Sequence, residues 1–281
     1  MILHRYMASH GLETLQTLEL KAAKLSSFND PFEYTFTITG KLNAPVARKY
    51  LEKRIHDPDF WLRAQAEWPN IDLRTDPVKI LKKNLPILVA NLVSKRDALS
   101  QITFRSREAM LDKSTRVVCF SGAETKDKNQ VLLWAHYADK HNGIRIEFDF
   151  PSLRTHNFYM SKVTYQDSPA TIDIGKRFLD EFFGEFLVEC AKVKSTAWEY
   201  ENEYRLLTHP DRCLSREIKG KQEFFVRFDL AWVKSVFFGV RFKESDISSY
   251  LELNKQQYGG KINFYRAKMP DGNYNLEYVS I

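Results

Sequence analysis

Hydrophobic and polar positions change rhythm many times along this chain, and each change predicts an element. Residues 2–6 carry the apolar weight of a short strand. Leu12, Leu15, Leu18 and Leu20 then fall near helical spacing and predict an amphipathic helix over about 9–20. A second short strand, Ala22 to Leu25, leads into Asn29-Asp30-Pro31, where strong turn chemistry takes over. Pro31 pushes Asp30 out of the helical region, and Asn29 can bond its own backbone. Residues 44–112 read as an inserted helical subdomain, rich in charge, with Trp61 and Trp68 and breaks at Pro69, Pro77 and Pro86. Within it, Ile80, Leu81, Leu85, Ile87, Leu88, Leu92 and Val93 predict a core-facing helix over Val78–Leu99, interrupted near Pro86.

The rhythm shortens in the second half. Arg116–Phe120 reads as a buried strand ending at Ser121-Gly122, and a helix-like stretch from Val131 ends at the turn Asn142-Gly143. Ile144, Ile146 and Phe148 alternate with Arg145 and Glu147, a strand signal. Tyr159–Tyr165 is a further strand, and a helix from about Thr171 to Lys194 is expected to bury Phe178, Phe182, Phe183 and Phe186. Strands are expected at Trp198–Leu207, Phe224–Phe228, Val233–Val240, Ile262–Ala267 and Asn275–Val279, with a helix over about 244–256. Short strands mixed with helices in no regular βαβ rhythm predict a single α+β domain over 1–281, carrying the helical insertion.

Composition narrows the function classes. An apolar content of 43% with 14% aromatic residues describes a globular chain with a sizeable core. The net charge of +6 permits an anionic ligand or nucleic acid without demanding either. No apolar run approaches membrane-spanning length, and the start lacks a signal peptide's apolar core. Cys119, Cys190 and Cys213 are widely spaced and odd in number, and read as reduced thiols of a cytoplasmic protein.

The chemistry concentrates in Trp198–Leu207. Read as a strand, it puts Glu201, Glu203 and Arg205 on one face, about 7 Å apart along the chain, and Tyr200, Tyr204 and Leu206 on the other. Glutamate is a poor strand former, so local preference did not select this pattern. The face is either a solvated Arg–Glu cross-pair or the floor of a cleft awaiting positive charge. His136 and His141 are expected to flank a loop mouth, while Trp134 and Tyr137 share a helical face. No further histidine or cysteine lies at zinc-ligand spacing. Neither a phosphate-cradling glycine loop nor a Gly-x-Ser-x-Gly elbow is present.

Three separated blocks carry a resemblance: Ser26–Glu33, Leu133–Gly143 and Trp198–Arg205. Together they resemble the bacterial and phage family known as domain of unknown function 2971, over nearly the whole chain. The order of elements is also similar, more weakly, to the ADP-ribosyltransferase fold. That resemblance implies a mixed, mostly antiparallel split sheet and a nicotinamide pocket with NAD as substrate. It makes Glu203 the expected catalytic residue of a Glu-x-Glu pair, with Glu201 deprotonating the attacking group and His136 beside them. Arg5 or His4 would match the first-strand position and Ser26 or Ser27 the second-strand position, with Tyr6 or Tyr137 stacking on the nicotinamide. With Asn29, Asp30, Trp134, Tyr137 and Arg205 they form the expected NAD-binding set, Arg5 holding a pyrophosphate or ribose oxygen. Lys192 and Lys194 read as solvated lysines, or as contacts to an anionic substrate. A protein or nucleic-acid acceptor, a toxin or phage-defence role and an antitoxin partner follow as implications. The alternatives are a nucleic-acid-binding or -modifying defence protein, and a non-enzymatic domain held by a Glu/Arg network.

Overall fold

Alternation built the first strand. β1 (Ile2–Met7) buries Leu3 and Met7 against one cluster and Tyr6 against another, on the opposite face. The computed structural model describes residues 1–8, 11–39, 43–67, 69, 72, 75–94, 111–125, 127–151, 159–173 and 190–281. After β1 come α1 (Gly11–Thr17) and β2 (Glu19–Lys21). Then follow β3 (Phe36–Thr39), α2 (Ala44–Arg54), α3 (Pro58–Glu67), α4 (Pro77–Lys83) and α5 (Leu85–Ser94). Next are β4 (Arg116–Gly122), α6 (Asp127–Tyr137), β5 (Ile144–Asp149), β6 (Tyr159–Lys162), β7 (Thr164–Tyr165), β8 (Ala170–Asp173) and β9 (Val193–Lys194). The chain closes through β10 (Glu203–Thr208), β11 (Leu214–Ile218), β12 (Lys221–Arg227) and β13 (Val233–Phe238). α7 (Glu244–Gln257), β14 (Asn263–Lys268) and β15 (Glu277–Ser280) complete it.

Two compact units emerge. The first comprises Met1–Tyr34, Glu108–Ser168 and Ala191–Ile281. Its main sheet runs β15-β14-β13-β5-β1-β4-β10-β6, and only the β13–β14 pair is parallel. A smaller sheet has the order β11-β12-β2. Leu3, Met7, Ile144, Ile146, Phe148, Val118, Phe120 and Leu206 meet Tyr250 and Leu253 of α7 on one face. Tyr6, Leu133, Trp134, Ala138 and Phe237 form a second cluster. Each such large apolar side chain contributes about 1.5–3 kcal/mol by leaving water.

The main sheet is split near its middle. β1 pairs with β5 over six residue pairs but with β4 over two, Leu3 with Gly122 and His4 with Ser121. At the other end of β4, Val117 instead exchanges backbone hydrogen bonds with Ala23, at 2.8 and 3.0 Å. Between these contacts β1 and β4 diverge, and the guanidinium of Arg5 reaches into the gap to donate to the carbonyl of Cys119.

The second unit, Thr35–Arg107 and Pro169–Cys190, joins β3 and β8 in a parallel pair and packs its helices around Ala47, Leu51, Ile55, Leu81, Leu85 and Leu88. Asn43 and Asp76 start α2 and α4 by accepting from the backbone of Val46 and Lys79, each at 3.0 Å, with proline just inside each helix.

The α+β class and the mostly antiparallel split sheet agree with the sequence reading, but several local expectations do not. Leu18, at φ 54°, ends α1 after Thr17, so Glu19–Lys21 form the strand expected at Ala22–Leu25. Leu25–Ser27 instead make a 3-10 turn. Trp198–Glu201 are not strand either: Thr196–Glu201 form a 3-10 helix and β10 begins at Glu203. Of the helix expected over Thr171–Lys194, Ala170–Asp173 and Val193–Lys194 are strands, because parallel partners claim their backbones. Phe178, Phe182, Phe183 and Phe186, like Trp68, lie outside the described residues. Among the described residues, no helix is long and apolar enough to cross a membrane.

Candidate functional site

The gap between β1 and β4 is the mouth of a cleft of about 470 Å³. Arg5, Tyr6 and Met7 line it from one strand; Val117, Cys119 and Ser121 line it from the other. Its acidic side is built by the segment after β9. Ser195 caps the 3-10 helix, and Asn202 then adopts a left-handed conformation at φ 46°, which asparagine tolerates better than most residues. That single reversal brings Glu201 and Glu203 back onto one centre.

The centre is Lys194. The β7–β9 pairing sets its register, and its ammonium lies 2.6 Å from Glu201, 3.1 Å from Glu203 and 3.1 Å from Glu33. Arg205 completes the network from inside β10. Its Nε and Nη2 donate to the two oxygens of Glu203 at 2.8 and 3.0 Å, and Nη2 also reaches Glu33. Nη1 donates to the carbonyl of Ala191 at 3.0 Å. Glu201 accepts from the Tyr137 hydroxyl on its other oxygen, so α6 is tied to the same cluster. The Ser121 hydroxyl holds the backbone carbonyl of Glu201 at 2.7 Å.

Burial and charge pull these groups in opposite directions. Burial would raise the Glu203 carboxyl, but Arg205 and Lys194 outweigh it and lower it to about 2. Burial raises Glu201, and repulsion from Glu203 adds to that against the pull of Lys194. Burial works against the Lys194 ammonium, yet Glu203, Glu33 and Glu201 together raise its pKa. Burial also drives the Cys119 thiol well upward, and neighbouring Glu203 reinforces it, which removes this cysteine as a thiolate nucleophile.

The opposite wall behaves differently. Among the described residues, Arg5 makes one hydrogen bond, to the Cys119 carbonyl, and its buried Nε finds no partner. It forms no ion pair among the described residues, so most of its fork of donors is uncommitted.

The expected site residues divide. His4, Arg5, Tyr6, Ser27, Asn29, His136, Tyr137, Glu201 and Glu203 all line the cleft. Arg205, fully buried, acts behind it through Glu203. Ser26 is exposed and bonded to Asp112, and Asp30 is held by the Trp198 indole at 2.8 Å, so both shape the loop without lining the cleft. Trp134 is fully buried; its ring packs against Tyr6 and stacks on His141, leaving no face for a ligand. His136 is exposed at the mouth, whereas His141 sits in a left-handed run with Asp139 and Lys140. The reading of Lys194 as solvated is overturned by its three carboxylate partners. Glu33 was legible only as the end of a turn block, yet Asp30 and Glu33 anchor that loop at both ends. Among the described residues, no group of three histidine, cysteine or acidic side chains is arranged to hold a metal ion.

Residues 133–206 match the profile of the family described as protein of unknown function DUF2971. The match runs from α6 to β10 and takes in two of the three resembling blocks, with Tyr137, Lys194, Glu201, Glu203 and Arg205 inside it. Glu33 and Arg5 lie outside the DUF2971 match but join the same cleft. No curated protein and no solved structure matches the chain.

Proposed function

We propose that this protein is an NAD-consuming, ADP-ribosyltransferase-like enzyme that breaks the bond between nicotinamide and ribose. One observation carries the reading: the cleft is bipolar. An uncommitted guanidinium, Arg5, lines one wall, and a fixed acidic pair, Glu201 and Glu203, lines the other. A dinucleotide with an anionic pyrophosphate and a ribose that becomes cationic during reaction needs both signs in one cleft. Arg5 is suited to pyrophosphate oxygens, which accept two parallel hydrogen bonds from its fork. The carboxylates stabilise the oxocarbenium-like charge that develops as the glycosidic bond lengthens. Because Lys194 and Arg205 already hold those carboxylates, they need little reorganisation during the reaction. Tyr6 and Tyr137 line the same space and supply apolar ring surface for the nicotinamide. The acceptor would be a protein or nucleic acid, in keeping with the basic balance of the chain.

Isothermal titration with NAD tests the binding half of this reading. Wild type should bind, and Arg5→Ala should weaken binding at least about tenfold, the loss of one charge-assisted contact. Equal affinity in the two proteins would remove Arg5 from the ligand.

The bidentate clamp of Arg205 on Glu203 favours one second reading, a non-enzymatic domain in which the network holds the fold. In that case Glu201→Gln and Glu203→Gln would lower the melting temperature equally, and NAD would not bind.

A further inference from the structure

Polar side chains line up across five adjacent strands of the main sheet. Register places Ser235 of β13 opposite Glu147 of β5, Glu147 opposite His4 of β1, His4 opposite Ser121 of β4, and Ser121 opposite Glu203 of β10. Cross-strand partners share a face, so the row runs from the β13 side of the sheet to the acidic floor of the cleft. Its middle member, His4, lines the cleft. His4 Nε2 is 3.2 Å from one oxygen of Glu147, and the Ser235 hydroxyl donates to the other oxygen at 3.2 Å. The second ring nitrogen, Nδ1, has no hydrogen-bond partner among the described residues.

We propose that His4 is the proton acceptor of this cleft, held in its working tautomer by Glu147 and Ser235. The inference rests on the NAD reading and completes it. Glu147 accepts from Nε2–H, which leaves the lone pair of Nδ1 free. The acidic pair is worse placed for this task. Both oxygens of Glu201 already accept, from Tyr137 and Lys194, and both oxygens of Glu203 accept from Arg205. His136 also lines the cleft, but it is exposed and no hydrogen bond among the described residues orients its ring. Burial lowers the His4 pKa, against the hydrogen bond to Glu147, so the imidazole is neutral near pH 7. Arg145 of β5 works in the same direction as burial, while Glu147 and Glu124, from the turn after β4, oppose it.

An acceptor hydroxyl, amine or water attacks the ribose carbon, and its lone pair forms the new bond. The carbon–nitrogen bond to nicotinamide breaks, and its electron pair leaves with the neutral base. The proton of the attacking group passes to Nδ1 of His4, and the resulting imidazolium, facing Glu147, returns it to solvent when product leaves.

The test is nicotinamide release from NAD by the full chain as a function of pH, with NAD affinity measured alongside. At saturating NAD, His4→Asn should release nicotinamide at least about 100-fold more slowly than wild type, a usual magnitude for loss of a general base. Its profile should also lose the acid limb. Glu147→Gln, a positioning variant, should move that limb to lower pH, because removing the carboxylate removes what holds the imidazolium. It also serves should His4→Asn not fold. An acid limb unchanged in both variants, with wild-type turnover, would overturn the role of His4 and leave the NAD reading standing. A wild-type chain that neither binds nor cleaves NAD would overturn both.

Discussion

Two arginines are buried in the same sheet by opposite means. Arg205, on β10, has carboxylate partners on two sides. Arg145, on β5, makes no ion pair among the described residues. Its guanidinium lies 3.8 Å from the ring centre of Phe237 and 4.4 Å from that of Tyr278, and hydrogen-bonds Gln130 at 2.8 Å and the Tyr278 hydroxyl at 3.2 Å. Aromatic faces and neutral acceptors are therefore enough to bury an arginine in this protein. The three carboxylates around Arg205 and Lys194 exceed what burial of a cation requires, and they stand where the sheet opens. The contrast separates a core solution from a site.

The largest effect should appear when each arginine is removed. Arg205→Met leaves Glu33 and Glu203 without their main counter-charge and should cost about 3–5 kcal/mol in chemical denaturation. Arg145→Met leaves no charge stranded and puts an apolar chain among aromatic rings, so about 2 kcal/mol or less should be lost. Equal costs would dissolve the contrast.

A smaller effect should follow from pH. Glu203 titrates at about 2 when folded against an ordinary 4.5, so its contribution is complete above 4.5 and is lost as pH falls towards 2. Acid unfolding followed by circular dichroism should therefore be less steep across that window in Glu203→Gln than in wild type. A wild-type acid response matched by the variant would mean that Glu203 is not the group being protonated.

The smallest stability effect belongs to Glu201→Gln. Lys194 keeps Glu33 and Glu203, and the new amide oxygen still accepts from Tyr137, so about 1 kcal/mol or less should be lost. A melting temperature that falls as far as in Arg205→Met would move Glu201 from the site to the scaffold.

Much of this was legible in the residues, but unevenly. Alternation of Ile144, Ile146 and Phe148 against Arg145 and Glu147 gave β5 and its two faces, because a strand's period of two is a local property. The convergence of Glu201 and Glu203 was also foreseen, though for the wrong local reason: a left-handed Asn202 brings them together where a continuous strand was expected. Lys194 could not be placed from its neighbours, since its burial depends on a parallel pairing with Tyr165 and on Glu33, far away in the chain. Trp134 takes the core position that its helical face suggested, and not the ligand contact that the resemblance implied. Its spacing to Tyr137 on one helical face says nothing about which of the two meets the core, and α6 turns Trp134 inward.

The most direct test of the account is release of nicotinamide from NAD by the purified wild-type chain and Glu201→Gln, measured at neutral pH on samples of matched melting temperature. The account predicts steady release by wild type and a loss of at least about 100-fold in the variant, the usual cost of removing a preorganised charge from an active site. Equal release from both proteins, or none from wild type, would contradict it.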